Sequence, residues 1–311
     1  MTLSSASDSD REAAPLAAVP ARPSLLHSLA VLFKVRIVLL LLFAAVGGLF
    51  LGAQGWPGIG ALLLIIATGG LAAAGSAAWN HYLEKDTDVR MERTRTRPLV
   101  TGDIGRPGWV PVAATLMILA PVLAVLPFNR PLSLFLLLGA VIYVGIYTLW
   151  LKPRTLLNIV VGGAAGSAAV LSGSAAAGAW NDPGALVLAL LVFLWTPTHF
   201  WSLAIVYRDD YARGGVPMLP VYVSDRQSAL WMMLHTLGAV TAALMLVVRP
   251  AMSLLYLAPV ATFSLILIVQ NVRLILTPNR DHARRYFRFS NYYLAVVLLM
   301  LIADMLVGAA A

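Results

Sequence analysis

Residues 61–99 read ALLLIIATGGLAAAGSAAWNHYLEKDTDVRMERTRTRPL. No charge interrupts this stretch before Glu84, and its apolar part exceeds the roughly 20 residues that cross a hydrocarbon layer as a helix. Beyond Leu83, acids and arginines alternate without pause as far as Pro98. The segment therefore predicts a membrane helix whose charged end meets water. Gly69, Gly70 and Gly75 within it predict close approach by neighbouring helices.

Working outward, further apolar runs bounded by Gly, Pro and charge predict spans at 36–55, 61–84, 109–127, 132–151, 157–178, 185–206, 229–248, 252–272 and 290–309. Gly162, Gly163 and Gly166 give the fifth the same small-residue character as the second. The fold class is all-α: a polytopic membrane protein with nine transmembrane helices. A composition of 60% hydrophobic and 12% charged residues agrees with a chain whose solvent is mostly lipid. Cysteine is absent, which excludes disulfides, thiolate metal sites, iron–sulfur clusters and a cysteine nucleophile. Residues 1–30, with Asp8, Asp10, Glu12 and several prolines, read as a disordered cytoplasmic tail, and 31–311 as one membrane domain. No nucleic-acid partner is expected.

With the N-terminus inside, 20 of the 22 Lys and Arg residues fall on the cytoplasmic side, leaving only Arg130 and Arg249 outside. An extra or missing span in the middle of the chain would destroy that asymmetry. The acids follow the same side although no topology rule compels them: of 14, only Asp182 and Asp304 lie towards the outer face. Asp304 is read there as facing interfacial water.

Asn80, Glu84 and Asp88 are four apart, so on a helix they drift only about 40° per step and form one oxygen-bearing stripe. An amide and two carboxylates suit Mg²⁺, a hard ion that completes its shell with phosphate and water. A solvated ladder of i,i+4 ion pairs is the competing reading. It is less attractive for a whole run of alternating charge at the mouth of a nearly charge-free bundle. A second acidic group, Asp209-Asp210, closes the sixth span. Adjacent helical residues diverge by about 100°, so only one can face the same ion closely, and Asp210 is the one assigned to it. Lys152 and Arg154 supply either phosphate donors or ordinary topology anchors.

Together these motifs resemble the UbiA prenyltransferase superfamily and, within it, the protohaem IX farnesyltransferases. The resemblance rests on Asn80 to Asp88, Arg93-Thr94-Arg95-Thr96-Arg97-Pro98-Leu99-Val100, Asp209-Asp210-Tyr211 and Gly215-Val216-Pro217-Met218-Leu219-Pro220. Tyr147-Thr148 through Lys152, Asn158-Ile159-Val160, His199-Phe200-Trp201 and Phe287-Arg288-Phe289-Ser290 extend it over about residues 30–308. Glu84 stands where an aspartate is common, and Val206 where the wider superfamily has a second aspartate, so the number of metal ions stays open.

The resemblance implies transfer of the farnesyl group of farnesyl diphosphate to a vinyl group of haem b, giving haem O. It implies Mg²⁺ held by Asn80, Glu84, Asp88 and Asp210, and substrate contacts from Lys34, Arg36, Arg93, Arg97, Lys152, Arg154, Asn158, Asp209 and His199. His199 is read as haem-facing. The implied setting is a bacterial inner membrane with the site on the cytoplasmic side, and haem A synthase or a haem-copper terminal oxidase as associates. Two other readings compete: a UbiA-type enzyme that prenylates a quinone or aromatic precursor, and a transporter. The first would call for the aspartate missing at 206; the second would call for an inverted repeat or mid-membrane charge, and neither is evident.

Overall fold

The structure, a computed structural model, describes residues 23–249 and 252–308. Among these, eight helices are long and apolar enough to cross a bilayer: α1 Val35–Ala53, α2 Ile59–Asp88, α4 Arg130–Leu151, α5 Asn158–Ala176, α6 Pro183–Val206, α7 Asp225–Val248, α8 Leu254–Leu276 and α9 Arg280–Gly308. The ninth, α3 Trp109–Val125, is apolar but shorter, and a turn at 126–128 prolongs it. The spans expected from the sequence thus all occur as helices among the described residues.

Two boundaries differ in ways that matter. α2 does not stop at residue 84 but runs on to Asp88, so the oxygen-bearing stripe lies on one unbroken helix. α9 begins at Arg280 rather than 290, because the Asn279 side chain accepts the His282 N–H (2.8 Å) and caps a first, polar part of the helix. The expected tail lies outside the described residues as far as 22. From Leu25 to Leu32 the chain forms a short helix, capped by Ser24.

α1 contacts α2, α5, α6 and α9 and so joins two groups of helices, α2–α5 and α6–α9, each packed in chain order. Its closest partner is α5. A Cβ on Gly173 would lie 1.7 Å from the Ala45 carbonyl oxygen, and one on Gly48 would lie 2.0 Å from that of Val170. Only glycine permits that backbone-to-backbone approach in lipid, where tight packing rather than water exclusion drives association. Gly75 does the same for α2 against α3, 2.6 Å from the Ala114 carbonyl oxygen, whereas a Cβ at Gly69 or Gly70 meets only side chains. Leu39, Leu63, Val112, Leu134, Leu234 and Leu265 point outward and are exposed, as lipid-facing side chains should be.

At the end away from α2's acids, Asp182 caps α6 through the Ala185 N–H (2.9 Å) and pairs with Arg249 (2.6 Å). Asp304 does not face water. It is buried, and it accepts both the N–H and the hydroxyl of Ser253 (2.5 and 2.6 Å) at the start of α8.

Candidate active site at the charged end of the bundle

The last three turns of α2 present Asn80, Glu84 and Asp88 as one buried face, with 1%, 7% and 1% of each residue exposed. Three cations converge on that face. Lys152, just past α4, pairs with Glu84. Arg97 donates to Asp88 Oδ2 at 2.6 Å and lies 3.8 Å from Glu84. Lys34 donates to Asn80 Oδ1 at 2.5 Å and to the Tyr143 hydroxyl at 3.1 Å. It does so from a left-handed backbone (φ +47°) between the short helix and α1. A non-glycine residue there costs about 1–3 kcal/mol, a strain typically found where a side chain must be aimed.

The chain continues from α2 through a tight turn that Thr94 braces by donating to the Asp88 carbonyl (3.0 Å). Asp210 holds the same turn from the other side: its two oxygens accept the N–H groups of Glu92 (3.2 Å) and Arg93 (3.1 Å), and Arg213 pairs with it. Burial alone would raise the Asp210 carboxyl, but the two amides and the guanidinium outweigh it and hold its pKa below the usual aspartate range. Arg93 lies over the rings of Tyr207 and Tyr211 and donates to the Tyr211 hydroxyl at 3.2 Å.

The remaining residues named from the sequence divide into two groups. Asn158 is buried, with its amide on the carbonyls of Thr155 and Pro217 (2.7 and 2.8 Å). His199 is sandwiched between Trp195 and Phe287, with ring centroids 4.4 and 4.5 Å away, and its Nδ1 meets the Ser290 hydroxyl at 2.8 Å. The others point elsewhere: Asp209 forms an exposed pair with Arg280, Arg154 donates to the carbonyls of Leu149 and Trp150, and Arg36 is exposed.

Two side chains were given no role in the site from the sequence, although Thr148 stood within a quoted motif. Tyr143 holds Lys34, and Thr148 accepts the Asn80 amide at 3.0 Å. The signal for Tyr143 was faint because α4 changes winding: it is α-helical to Ala140 and π-helical over Val141–Leu151. Spacing rules built on 3.6 residues per turn misplace that face.

Chemically, three cations surround two carboxylates and an amide, a positive surplus suited to a polyanion. Asp88 Oδ1 is buried and has no hydrogen-bond partner among the described residues, which fits it to coordinate a hard cation. Among the described residues no three acidic or histidine side chains converge on one point. A hard ion bound here would take Asn80, Glu84 and Asp88 as ligands and fill its shell from the polyanion itself.

A helical membrane bundle with such a site at one end defines an enzyme that works on an anionic group carried by an apolar chain. The chain belongs to the UbiA prenyltransferase family, which it matches over residues 40–295. It is 38% identical over 277 residues to a protoheme IX farnesyltransferase of Metallosphaera sedula, in an alignment covering 89% of this chain and 95% of that one. Its fold is shared with a solved digeranylgeranylglyceryl phosphate synthase (TM-score 0.76, 17% identity, covering 90% and 98% of the two chains). A UbiA homologue from Archaeoglobus fulgidus, bound to GPP and Mg²⁺, has the same fold (TM-score 0.57, 15% identity, covering 89% and 99%).

Proposed function

We propose that this chain transfers the farnesyl group of farnesyl diphosphate to a vinyl group of haem b, releasing diphosphate and, with addition of water, giving haem O. The observation that carries the reading is the buried face of Asn80, Glu84 and Asp88 ringed by Lys34, Arg97 and Lys152. The protoheme IX farnesyltransferase relative and the GPP- and Mg²⁺-bound homologue support it.

Asn80, Glu84 and Asp88 would hold Mg²⁺, and Asp210, through the amides of Glu92 and Arg93, would hold the turn of residues 89–97 beside them. When bound, the ion neutralises charge on the departing diphosphate. Lys34, Arg97 and Lys152 exchange their carboxylate and amide partners for diphosphate oxygens, and Arg93 guards the outer edge of that group. Because these donors are already aimed, their stabilisation of the leaving group needs little reorganisation. The C1–O bond to diphosphate breaks and leaves an allylic cation. The vinyl π electrons attack that carbon, and water then adds to the resulting haem-side cation and loses a proton. The apolar bundle keeps water from the first cation, and no protein nucleophile is required.

On the haem side, His199, with both ring faces covered by Trp195 and Phe287 and Nδ1 on the Ser290 hydroxyl, has Nε2 as the ring nitrogen left for a substrate. Asn158 ties α5 to the loop before Pro220. Arg36, exposed at the charged end, favours the approach of the anionic substrates, while Arg154 is held by the carbonyls of Leu149 and Trp150 and Asp209 by Arg280. The charged end faces the cytoplasm of a bacterial inner membrane, in keeping with the distribution of Lys and Arg. A haem A synthase or a haem-copper terminal oxidase is the expected neighbour.

The test is to incubate membranes containing the protein with haem b, farnesyl diphosphate and Mg²⁺ and to resolve the haems by mass. A haem gaining farnesyl plus water supports the reading. Farnesylation of a quinone precursor, with haem b untouched, overturns it.

A further inference from the structure

The π-helical stretch Val141–Leu151 sits directly against the site and is unusually long for a winding that mostly occurs as single-turn bulges at functional positions. Its wide turns are closed in three places. The Lys152 N–H donates to the Tyr147 carbonyl, five residues back, at 2.8 Å. The Thr148 hydroxyl donates to the Tyr143 carbonyl at 2.7 Å. Arg154 covers the carbonyls of Leu149 and Trp150 at 2.8 and 2.9 Å.

The winding determines which side chains share a face. An α-helix turns about 100° per residue, which would put Lys152 on the opposite side from Tyr143. A winding closed by i→i+5 bonds turns only about 80°, which brings the two within about 20° of each other. In the structure both are engaged at the stripe: Tyr143 with Lys34, beside Asn80, and Lys152 with Glu84. Thr148, on the same face, receives the Asn80 amide.

We propose that the π winding of Val141–Leu151 is a positioning element of the site, which places Tyr143, Thr148 and Lys152 on one face so that Lys34 and Lys152 converge on the α2 stripe. Its catalytic consequence rests on the diphosphate reading above, while its geometry can be tested separately. Gly145 lies within the stretch in open surroundings, with no atom within 4 Å of where its Cβ would be, and its removal takes no side-chain contact with it while shortening the winding by one residue. Deleting it and letting the segment wind as an α-helix would put position 151, seven residues beyond Tyr143, within about 20° of Tyr143's direction, and would turn Lys152 away.

The chain has no cysteine, so paired cysteines report geometry cleanly. Glu84→Cys is combined in turn with Lys152→Cys, Leu151→Cys and Trp150→Cys, and each pair is treated with a short bifunctional thiol reagent. In the full-length chain the 84/152 pair should cross-link best. In the Gly145 deletion the 84/151 pair should take over. In the otherwise unaltered enzyme, the deletion should lower kcat/KM for farnesyl diphosphate by about a hundredfold, the usual effect of moving a catalytic contact by about an ångström. Adding Leu151→Lys to the deletion should recover most of that loss.

The proposal is overturned if the 84/150 pair cross-links best in the full-length chain, a comparison that does not depend on the deletion variant folding. It is also overturned if the deletion leaves turnover intact, or if Leu151→Lys fails to restore it in a properly inserted variant. If the cross-links follow the expected pattern but the wild-type protein never farnesylates haem b, the proposed reaction fails and the positioning geometry stands.

Discussion

The two ends of the bundle both bury acids, but they satisfy them differently. At the far end, among the described residues, neither acid leaves a buried oxygen without a partner: Asp182 Oδ1 takes the Ala185 N–H and Arg249, and the two oxygens of Asp304 take the amide and hydroxyl of Ser253. Those bonds join helix ends. At the charged end, three cations crowd two carboxylates and an amide, one carboxylate oxygen has no partner, and a lysine adopts a left-handed backbone to reach its place. Closed pairs hold the bundle together. An incomplete cluster of matched charges is complementary to a ligand, and that incompleteness marks the site.

Substitutions should separate the two ends. The largest effect belongs to Asp88→Asn, which removes the carboxylate with the orphan oxygen. Farnesyl transfer per correctly inserted molecule should fall by about a thousandfold, a loss beyond what the unpairing of Arg97 from Asp88 costs in stability, since Arg97 keeps Glu84 at 3.8 Å. Lys152→Ala comes next, with a loss of about a hundredfold in kcat/KM, mostly as a raised KM for farnesyl diphosphate. A steady-state titration with that substrate reads this split. Asp182→Asn should do the reverse: it leaves the half-buried Arg249 without its counter-charge, costs about 2 kcal/mol of stability, and leaves turnover per folded molecule unchanged. A thermal melt paired with active-site titration checks both halves.

The smallest effect concerns pH. Asp210 has a depressed pKa in the folded state, so its hold on the 89–97 turn is fully present above the ordinary aspartate pKa and is lost only as pH falls through the lower folded value. A single Arg95→Cys in this cysteine-free chain should therefore react with a thiol reagent at a rate that, once corrected for thiolate fraction, stays flat on acidification through the ordinary aspartate range. A rise within that range would show that Asp210 is not held by the amides.

Much of this was legible in the sequence because the governing periods are simple. Apolar run length gave the spans, and four-residue spacing gave the stripe at Asn80, Glu84 and Asp88, since α2 is a regular α-helix to its last residue. Lys152 was named by its place at a helix end. The contribution of Tyr143 was hidden because α4 abandons the α period exactly where it meets the site. Asp210 was read as facing a metal, while its bonds to the amides of Glu92 and Arg93 depend on the path of a non-repetitive turn, for which no spacing rule exists. Arg154 was open between phosphate donor and anchor, and its bonds to the carbonyls of Leu149 and Trp150 follow from the same change of winding. The buried place of Asp304 depended on which loop folds over α9, again a tertiary fact.

The most direct measurement compares Asp88→Asn with Asp182→Asn in the same membranes, as farnesyl transferred to haem b per correctly inserted molecule. If the charged end is the reaction site and the far end a structural clasp, the Asp182 variant keeps wild-type turnover and the Asp88 variant falls about a thousandfold below it. Equal turnover in the two variants would contradict that assignment.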